Sequence, residues 1–332
     1  MKASVFSEYG PPEVLHIAEV PTPTPGDGDV LVRVHAASVG FGDTLVRNFK
    51  AVSPRQFHMP FLFWLIGRFQ FGFRRPRVHV LGSDFAGQVS AVGPAVTRFK
   101  VGDRVFGFRG PRMGAYAEYL CLPDDGVMVA MPENLSYEQA ATIPNGAIIA
   151  LGMLRKISLQ RDQRVLVIGA SGGIGSVVVQ LAVSKFGAHV TGVCGPSSLD
   201  YVRSLGADQV IDYTEQDYLA ADETYDVIVD VLGKSAFADC KRMLAPGGQL
   251  VYISFKMRQI GQMLWTSATR ARRVRCVLIN EHTEDLEMIG EFVESGMLQA
   301  RVDKAFPLER AADAHRYAQS DARGGPVVIT VG

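Results

Sequence analysis

Four cysteines in 332 residues, Cys121, Cys194, Cys240 and Cys276, stand far apart with no C-x-x-C spacing. That pattern writes neither a zinc cage nor a disulfide scaffold, and a reducing, cytoplasmic setting is the simplest reading. The seven histidines show no H-x-x-H or similar cluster, so they read as surface or core polar residues rather than ligands. Net charge is missing too. The 34 bases against 34 acids leave no overall pull toward nucleic acid, and no recognition motif accompanies the bases. No apolar run is long enough to span a bilayer: the longest outside the core pattern, Met59 to Gly67, has nine residues where about 20 are needed. The opening MKASVFSEYG lacks the basic-then-apolar build of a signal peptide.

Acids are also absent locally. Arg47 to Arg77 holds seven Lys or Arg residues and Lys256 to Arg275 six more, with no acid in either. The first stretch contains Phe57 to Phe73, rich in Phe, Trp and Arg; it reads as a helical insertion packed on its own domain or as a lid over a pocket. The second interleaves bases with Met257, Ile260, Met263, Leu264 and Trp265. Basic and apolar interleaving can bind anionic lipid, so peripheral membrane contact stays open beside the reading of a cleft roof and a solvated loop and helix.

What is present is a change of texture. Residues 1 to about 123 read as short strands punctuated by Gly and Pro: KASVF, VLHIAEV, VLVRVHAASV, GSDFAGQVSAVG, DRVFGF and AYAEYLCL. That spacing predicts an all-β, barrel-like domain. From Pro123 the chain turns to helices, with Asn134 or Ser136 as caps and Glu138 placed to assist. Strand and helix then alternate through RVLVIGA, HVTGVCG, DQVIDY, YDVIVDVLG and GGQLVYISF, the pattern of a parallel doubly wound sheet.

The most informative stretch is Arg164 to Gln180, RVLVIGASGGIGSVVVQ. An apolar strand runs into a glycine-rich turn and an apolar helix, the order required of a dinucleotide-binding unit. Ala170, Gly172 and Gly175 take the small-residue positions of G-x-G-x-x-G, with Ala170 in place of the first glycine. Ser171, Gly173 and Ile174 lie between them. The pattern alone also fits an ordinary strand-to-helix turn. At the end of the second strand of this unit, Gly192 to Ser198 carries no acid, and the first is Asp200. An acid there would take the ribose hydroxyls and repel a 2′-phosphate. Its absence favours NADPH over NADH, with Cys194 at the strand end, the Ser197 and Ser198 hydroxyls as phosphate contacts, and Arg203 as a nearby charge. Leu232, Gly233, Ile253 and Ser254 fall at strand carboxyl ends, where ligands sit in an open α/β sheet.

KASVFSEYGPPEVL, PGDGDVLVRVHAASV, GSDFAGQVSAVG, VGDRVFG, GAYAEY, GASGGIGS, VRSLGADQVIDY, APGG and ESGMLQARVDKAFPLERAADAHRY follow one another in order. Together they resemble the medium-chain dehydrogenase/reductase superfamily, in its zinc-free quinone oxidoreductase or zeta-crystallin-like branch. The resemblance implies an α/β chain: a Rossmann doubly wound parallel sheet domain over 124–276 and a GroES-like β-barrel domain over 1–123 and 277–332, with the active site between them. At the positions of the relatives' zinc ligands stand Gly40, Ser83 and Asn145, none a usual ligand, so no zinc is expected. Tyr213 sits where relatives meet the adenosine phosphate, and it also fits a strand-end aromatic. The substrate side would involve Gly40, Phe41, Asp43, Thr44 and Asn145, with Asp43 equally readable as a turn-capping carboxylate.

Asn is usual where Gly40 stands, Tyr is frequent where Leu45 stands and Thr where Ile149 stands, so the pocket reads as more apolar and names no general acid. Without a Lewis acid, hydride transfer suits a quinone or an α,β-unsaturated carbonyl. An enoyl thioester reductase, an alcohol dehydrogenase-like activity, or an NADPH-binding protein with little turnover are the alternatives. A homodimer paired through a last Rossmann strand near Val274 to Ile279 is also implied.

Overall fold

The computed structural model describes residues 1–332 except His58, Ala221, Asp222 and Arg270, with Thr269 described by its backbone alone. Strands β1 (Lys2–Val5) and β2 (His16–Glu19) form a small antiparallel pair. The barrel sheet takes β3 (Asp29–Ser38), β4 (Asp84–Val92), β5 (Arg104–Phe108), β6 (Tyr119–Pro123) and β7 (Met128–Ala130), together with β14 (Lys304–Pro307) and β15 (Val327–Thr330) from the end of the chain. Its order is β14-β15-β3-β4-β5-β7, with β6 also pairing β3. β3 alternates or runs buried along most of its length, as a strand at the centre of a closed core must.

Six parallel strands make the second sheet: β8 (Arg164–Ile168), β9 (His189–Cys194), β10 (Gln209–Asp212), β11 (Tyr225–Asp230), β12 (Leu244–Tyr252) and β13 (Arg273–Cys276). They run in the order β10-β9-β8-β11-β12-β13. In sequence terms this is 3-2-1-4-5-6, with the reversal between the first and fourth strands where doubly wound sheets bind dinucleotides. The helices in chain order are α1 (Phe41–Arg47), α2 (Phe61–Phe71), α3 (Tyr137–Ala141), α4 (Pro144–Ile157), α5 (Gly173–Ser184), α6 (Leu199–Ser204), α7 (Phe237–Cys240), α8 (Met257–Thr269), α9 (Thr283–Glu294) and α10 (Ala311–Ala318). Among the described residues no helix is long and apolar enough to cross a membrane.

The two sheets share one core: Ala36, Ala86 and Phe106 of the barrel cluster with Ile148 of α4 and Val178 of α5. Several details differ from the sequence reading. β7 pairs β5, so the barrel sheet continues past residue 123 to Ala130. Ser136 caps α3 by accepting from Gln139 N–H, and it is the Gln139 side chain, rather than that of Glu138, that accepts from Ser136 N–H in return. The last strand of the parallel sheet stops at Cys276. Val277 N–H still reaches Tyr252 O of β12, and Leu278 and Ile279 then turn onto α4, where Lys156 Nζ donates to Leu278 O and Ile279 packs at Gly152. The aromatic insert does form a helix, α2, but only one side of it packs down.

A buried polar chain anchors α1 to α10. Arg47 donates to Nδ1 of His315 at 2.7 Å, and Nε2 of His315 meets Tyr116 Oη at 3.2 Å. Because arginine is donor-only, Nδ1 must accept, so the imidazole is neutral. Burial, helped by the Arg47 charge, holds its pKa down at about 3. Arg47 also reaches Gly10 O and Gln319 Oε1, so three parts of the barrel domain converge on the helix that carries Asp43.

Candidate active site

The glycine turn forms as the pattern requires, with one shift of frame. The tight turn is made at Gly169, φ +87°, a conformation that a Cβ would strain. Ala170, one residue on, is fully buried, and its N–H is bonded to Val193 O. Ala170 is therefore core packing against β9 and offers nothing to a ligand. Gly172 caps α5, its own N–H closed onto Gly169 O, and the first helical bond runs from Ser176 N–H to Gly172 O. Gly173, Ile174 and Gly175 are thus the first-turn residues whose N–H groups have no partner inside the helix, which makes an anion seat. The fit to a pyrophosphate is steric as well. A Cβ on Gly173 would meet nothing within 4 Å, and Ser171, Gly172 and Ile174 stay partly open. Gly175 serves the close packing of helix on strand, since a Cβ there would sit 2.1 Å from Gly169 O.

At the end of β9 the sequence reading needs correction. Cys194 is buried among apolar neighbours, which push its thiol up to about 11; only its carbonyl is used, accepting from Tyr213 N–H. Ser197 Oγ is spent on Asp321 O at 2.8 Å and Arg323 O at 3.1 Å, and Ser198 Oγ on Arg323 O at 3.3 Å. A hydroxyl has one proton to give, so these serines tie the loop to the C-terminal segment instead of presenting donors to a phosphate. The exposed Tyr213 lies over Gly195, its hydroxyl 3.4 Å from where a Cβ would stand. Arg203 is held by Asp200 at 2.8 Å.

Past β11 the organiser is Asp230, which the sequence reading missed. Fully buried, it accepts from the N–H groups of Leu232, Gly233 and Ser235 at 3.0, 2.9 and 2.7 Å. Those bonds hold Gly233 at φ +66° against Ser254 O, and the half-exposed Leu232 side chain lies beside Gly169. Leu232, Gly233, Ile253 and Ser254 therefore gather with the glycine turn at the carboxyl ends of the strands.

On the barrel side two buried carboxylates lie together. Asp43 accepts from Gly40 N–H at 2.8 Å and Gly82 N–H at 2.9 Å, so it caps the start of α1 and is closed to a ligand. Thr44 Oγ1 is bonded to Phe41 O, while Phe41 itself is largely exposed. Asp84, also absent from the sequence reading although it lies inside GSDFAG, accepts from Asn145 N–H at 2.7 Å and from Ser83 Oγ at 3.2 Å. Burial lifts Asp43 to about 6 and Asp84 to about 7, the second further raised by the charge of the first.

The sign follows from the cost of burying charge. Below about pH 4 both folded and unfolded chains keep the Asp84 proton; as pH rises toward 7 the unfolded chain releases it first, and stability falls. Asp84→Asn should therefore exceed the wild type by about 2 kcal/mol near pH 8 and match it near pH 4. Urea midpoints at the two pH values test this, and equal midpoints at the higher one would contradict it.

Asn145 joins the two halves. Its N–H is held by Asp84, and the next residue, Gly146, is pressed on the glycine turn so closely that a Cβ would fall 2.3 Å from Gly173 O. The half-buried Asn145 side-chain amide makes no hydrogen bond within the described residues.

Comparisons with known proteins agree with this layout. Residues 26–133 match the alcohol dehydrogenase GroES-like domain model, and residues 205–329 match the model described as zinc-binding dehydrogenase. The chain is 30% identical over 342 residues to the NADPH-dependent alkenal/one oxidoreductase, chloroplastic, of Arabidopsis thaliana, covering 99% of this chain and 79% of that one. Among solved structures, the quinone oxidoreductase from Coxiella burnetii aligns with a TM-score of 0.83 at 28% identity, covering 100% of this chain and 99% of the other. An NAD-dependent alcohol dehydrogenase aligns at 0.82 with 30% identity over 100% of both. The chain belongs to the medium-chain dehydrogenase/reductase superfamily, in its quinone oxidoreductase branch, and is an NAD(P)H-dependent oxidoreductase.

Proposed function

We propose that this chain is a zinc-independent reductase that uses NADPH to reduce an α,β-unsaturated carbonyl compound or a quinone. The observation that carries the reading is the free amide of Asn145 beside the glycine turn. When bound, the reduced nicotinamide supplies hydride. Asn145 then donates its side-chain N–H to the acceptor oxygen, where negative charge develops. Phe41 and Leu232 flank the acceptor with apolar surface that keeps water away, and Asp230 holds the Leu232–Gly233 loop in place. The proton that completes the reduction comes from solvent.

Zinc independence is supported by the donor set: Gly40 has no side chain, Ser83 is bonded to Asp84, and Asn145 is an amide. A preference for NADPH is supported by the acid-free end of β9 and by the name of the Arabidopsis relative. With Ser197 and Ser198 engaged elsewhere, the 2′-phosphate would rely on backbone N–H groups near Gly195, on Tyr213 and on Arg203. β13 ends the parallel sheet, but its outward N–H groups at Val274 and Cys276 are taken by Thr266 Oγ1 and Met263 Sδ of α8, so a homodimer paired through this edge would first have to displace α8.

The direct test follows NADPH and NADH absorbance with the purified protein and a panel of quinones and enones. Consumption of NADPH with at least one acceptor, and a lower KM for NADPH than for NADH, is the expected result. No consumption across the panel would remove the activity, and a clear NADH preference would remove the cofactor assignment.

A further inference from the structure

The insert between α1 and β4 leaves a surface that the proposed reaction does not use. Along α2, Leu62, Ile66 and Phe69 follow one another at helical spacing and are 62%, 51% and 57% exposed; Phe61 and Phe73 add to the same surface. The opposite side packs down through Gly67 against Phe49 and through Trp64 Nε1 to Val52 O. A helix that turns its apolar row outward reverses the usual arrangement, and monomeric soluble proteins rarely expose patches of this kind.

α8 repeats the reversal, burying Gln259 and Thr266 while exposing Met257, Leu264 and Trp265. The two segments are neighbours: Lys256 Nζ donates to Arg55 O, and Met59, Ile260 and Met263 pack against the same buried cluster. The charge is one-signed. None of the bases of 47–77 or 256–275 forms an ion pair among the described residues, although Arg155, Arg203 and Arg316 elsewhere do. Arg270 lies outside the described residues.

We propose that α2 and the start of α8 form a docking face for an anionic lipid bilayer. The apolar row would enter the acyl boundary while Arg74, Arg75, Arg77, Lys256 and Arg258, all exposed, meet the headgroups. A second copy of the chain is the poorer occupant, because a two-fold contact would set unpaired base against unpaired base. The docking proposal does not depend on the reductase reading.

Flotation of the full-length protein with phosphatidylcholine vesicles, with and without about a third phosphatidylserine, tests it. The protein should float with the anionic vesicles, remain below the neutral ones, and be released by high salt. Arg74→Ala with Arg75→Ala should lower partitioning roughly 30-fold, and Ile66→Glu with Phe69→Glu at least about tenfold. Both variants should bind NADPH as the wild type does, which shows that they fold. The proposal is overturned if the protein stays in the soluble fraction or the variants partition unchanged. It is equally overturned if sedimentation shows Ile66→Glu with Phe69→Glu breaking an oligomer, or if that variant changes only the KM for the acceptor.

Discussion

Gly175→Ala is expected to weaken NADPH binding by more than about a hundredfold and to lower stability by about 1–3 kcal/mol. The new methyl carbon would start 2.1 Å from Gly169 O. That oxygen cannot retreat, because Gly169 is held at φ +87° with its N–H bonded to Val193 O. The helix must therefore back away from the strand, taking with it the first-turn N–H groups that would hold the pyrophosphate. Gly173→Ala is the companion variant. Its Cβ meets nothing within 4 Å, so it should be as stable as the wild type while its methyl stands where the phosphate would. Fluorescence titration with NADPH, beside denaturant unfolding, separates the two effects. A Gly175→Ala protein with affinity within about threefold of wild type would contradict the packing argument.

The second large effect is expected at Asn145. Asn145→Ala should cut kcat about a hundredfold, the loss typical of one oxyanion donor, while leaving the KM for NADPH near its original value. The fold should survive, since the bond to Asp84 comes from the backbone N–H that alanine retains. Steady-state kinetics with a saturating acceptor reads both constants. A kcat within about threefold of wild type would show that the amide does not face the developing charge.

Both positions stood in the sequence reading, and the difference between them shows what a sequence can convey. The strand, glycine turn and helix around Gly175 are contiguous, so periodicity and the steric demands of glycine made them legible without long-range information. Even there the frame slipped by one residue: the tight turn fell to Gly169, because Ala170 has a Cβ that fits the core but not the turn. Asn145 could be aligned with a family position, yet its partner Asp84 lies 61 residues away, and the glycine turn is met by the next residue, Gly146. Nothing local in GSDFAG announces that Asp84 will be buried beside Asp43.

Ser197 and Ser198 failed for the same reason. Their hydroxyls suited a phosphate chemically, but carbonyls more than a hundred residues along the chain had already taken their protons. The apolar insert was legible as a helix or a lid, and α2 forms, but which side would carry its apolar row was not written locally, and that row lies away from the domain.

The bonds from Ser197 and Ser198 to Asp321 and Arg323 have a mechanical meaning. They clasp the two domains beside Gly195 and Tyr213, while elsewhere the domains are joined by the bond from Asn145 N–H to Asp84 and by Lys256 Nζ reaching Arg55 O. Because barrel residues Ala36, Ala86 and Phe106 share a core with Ile148 and Val178, parting the domains anywhere along the cleft would have to break that common packing, so the clasp adds to a joint that is already closed at its centre.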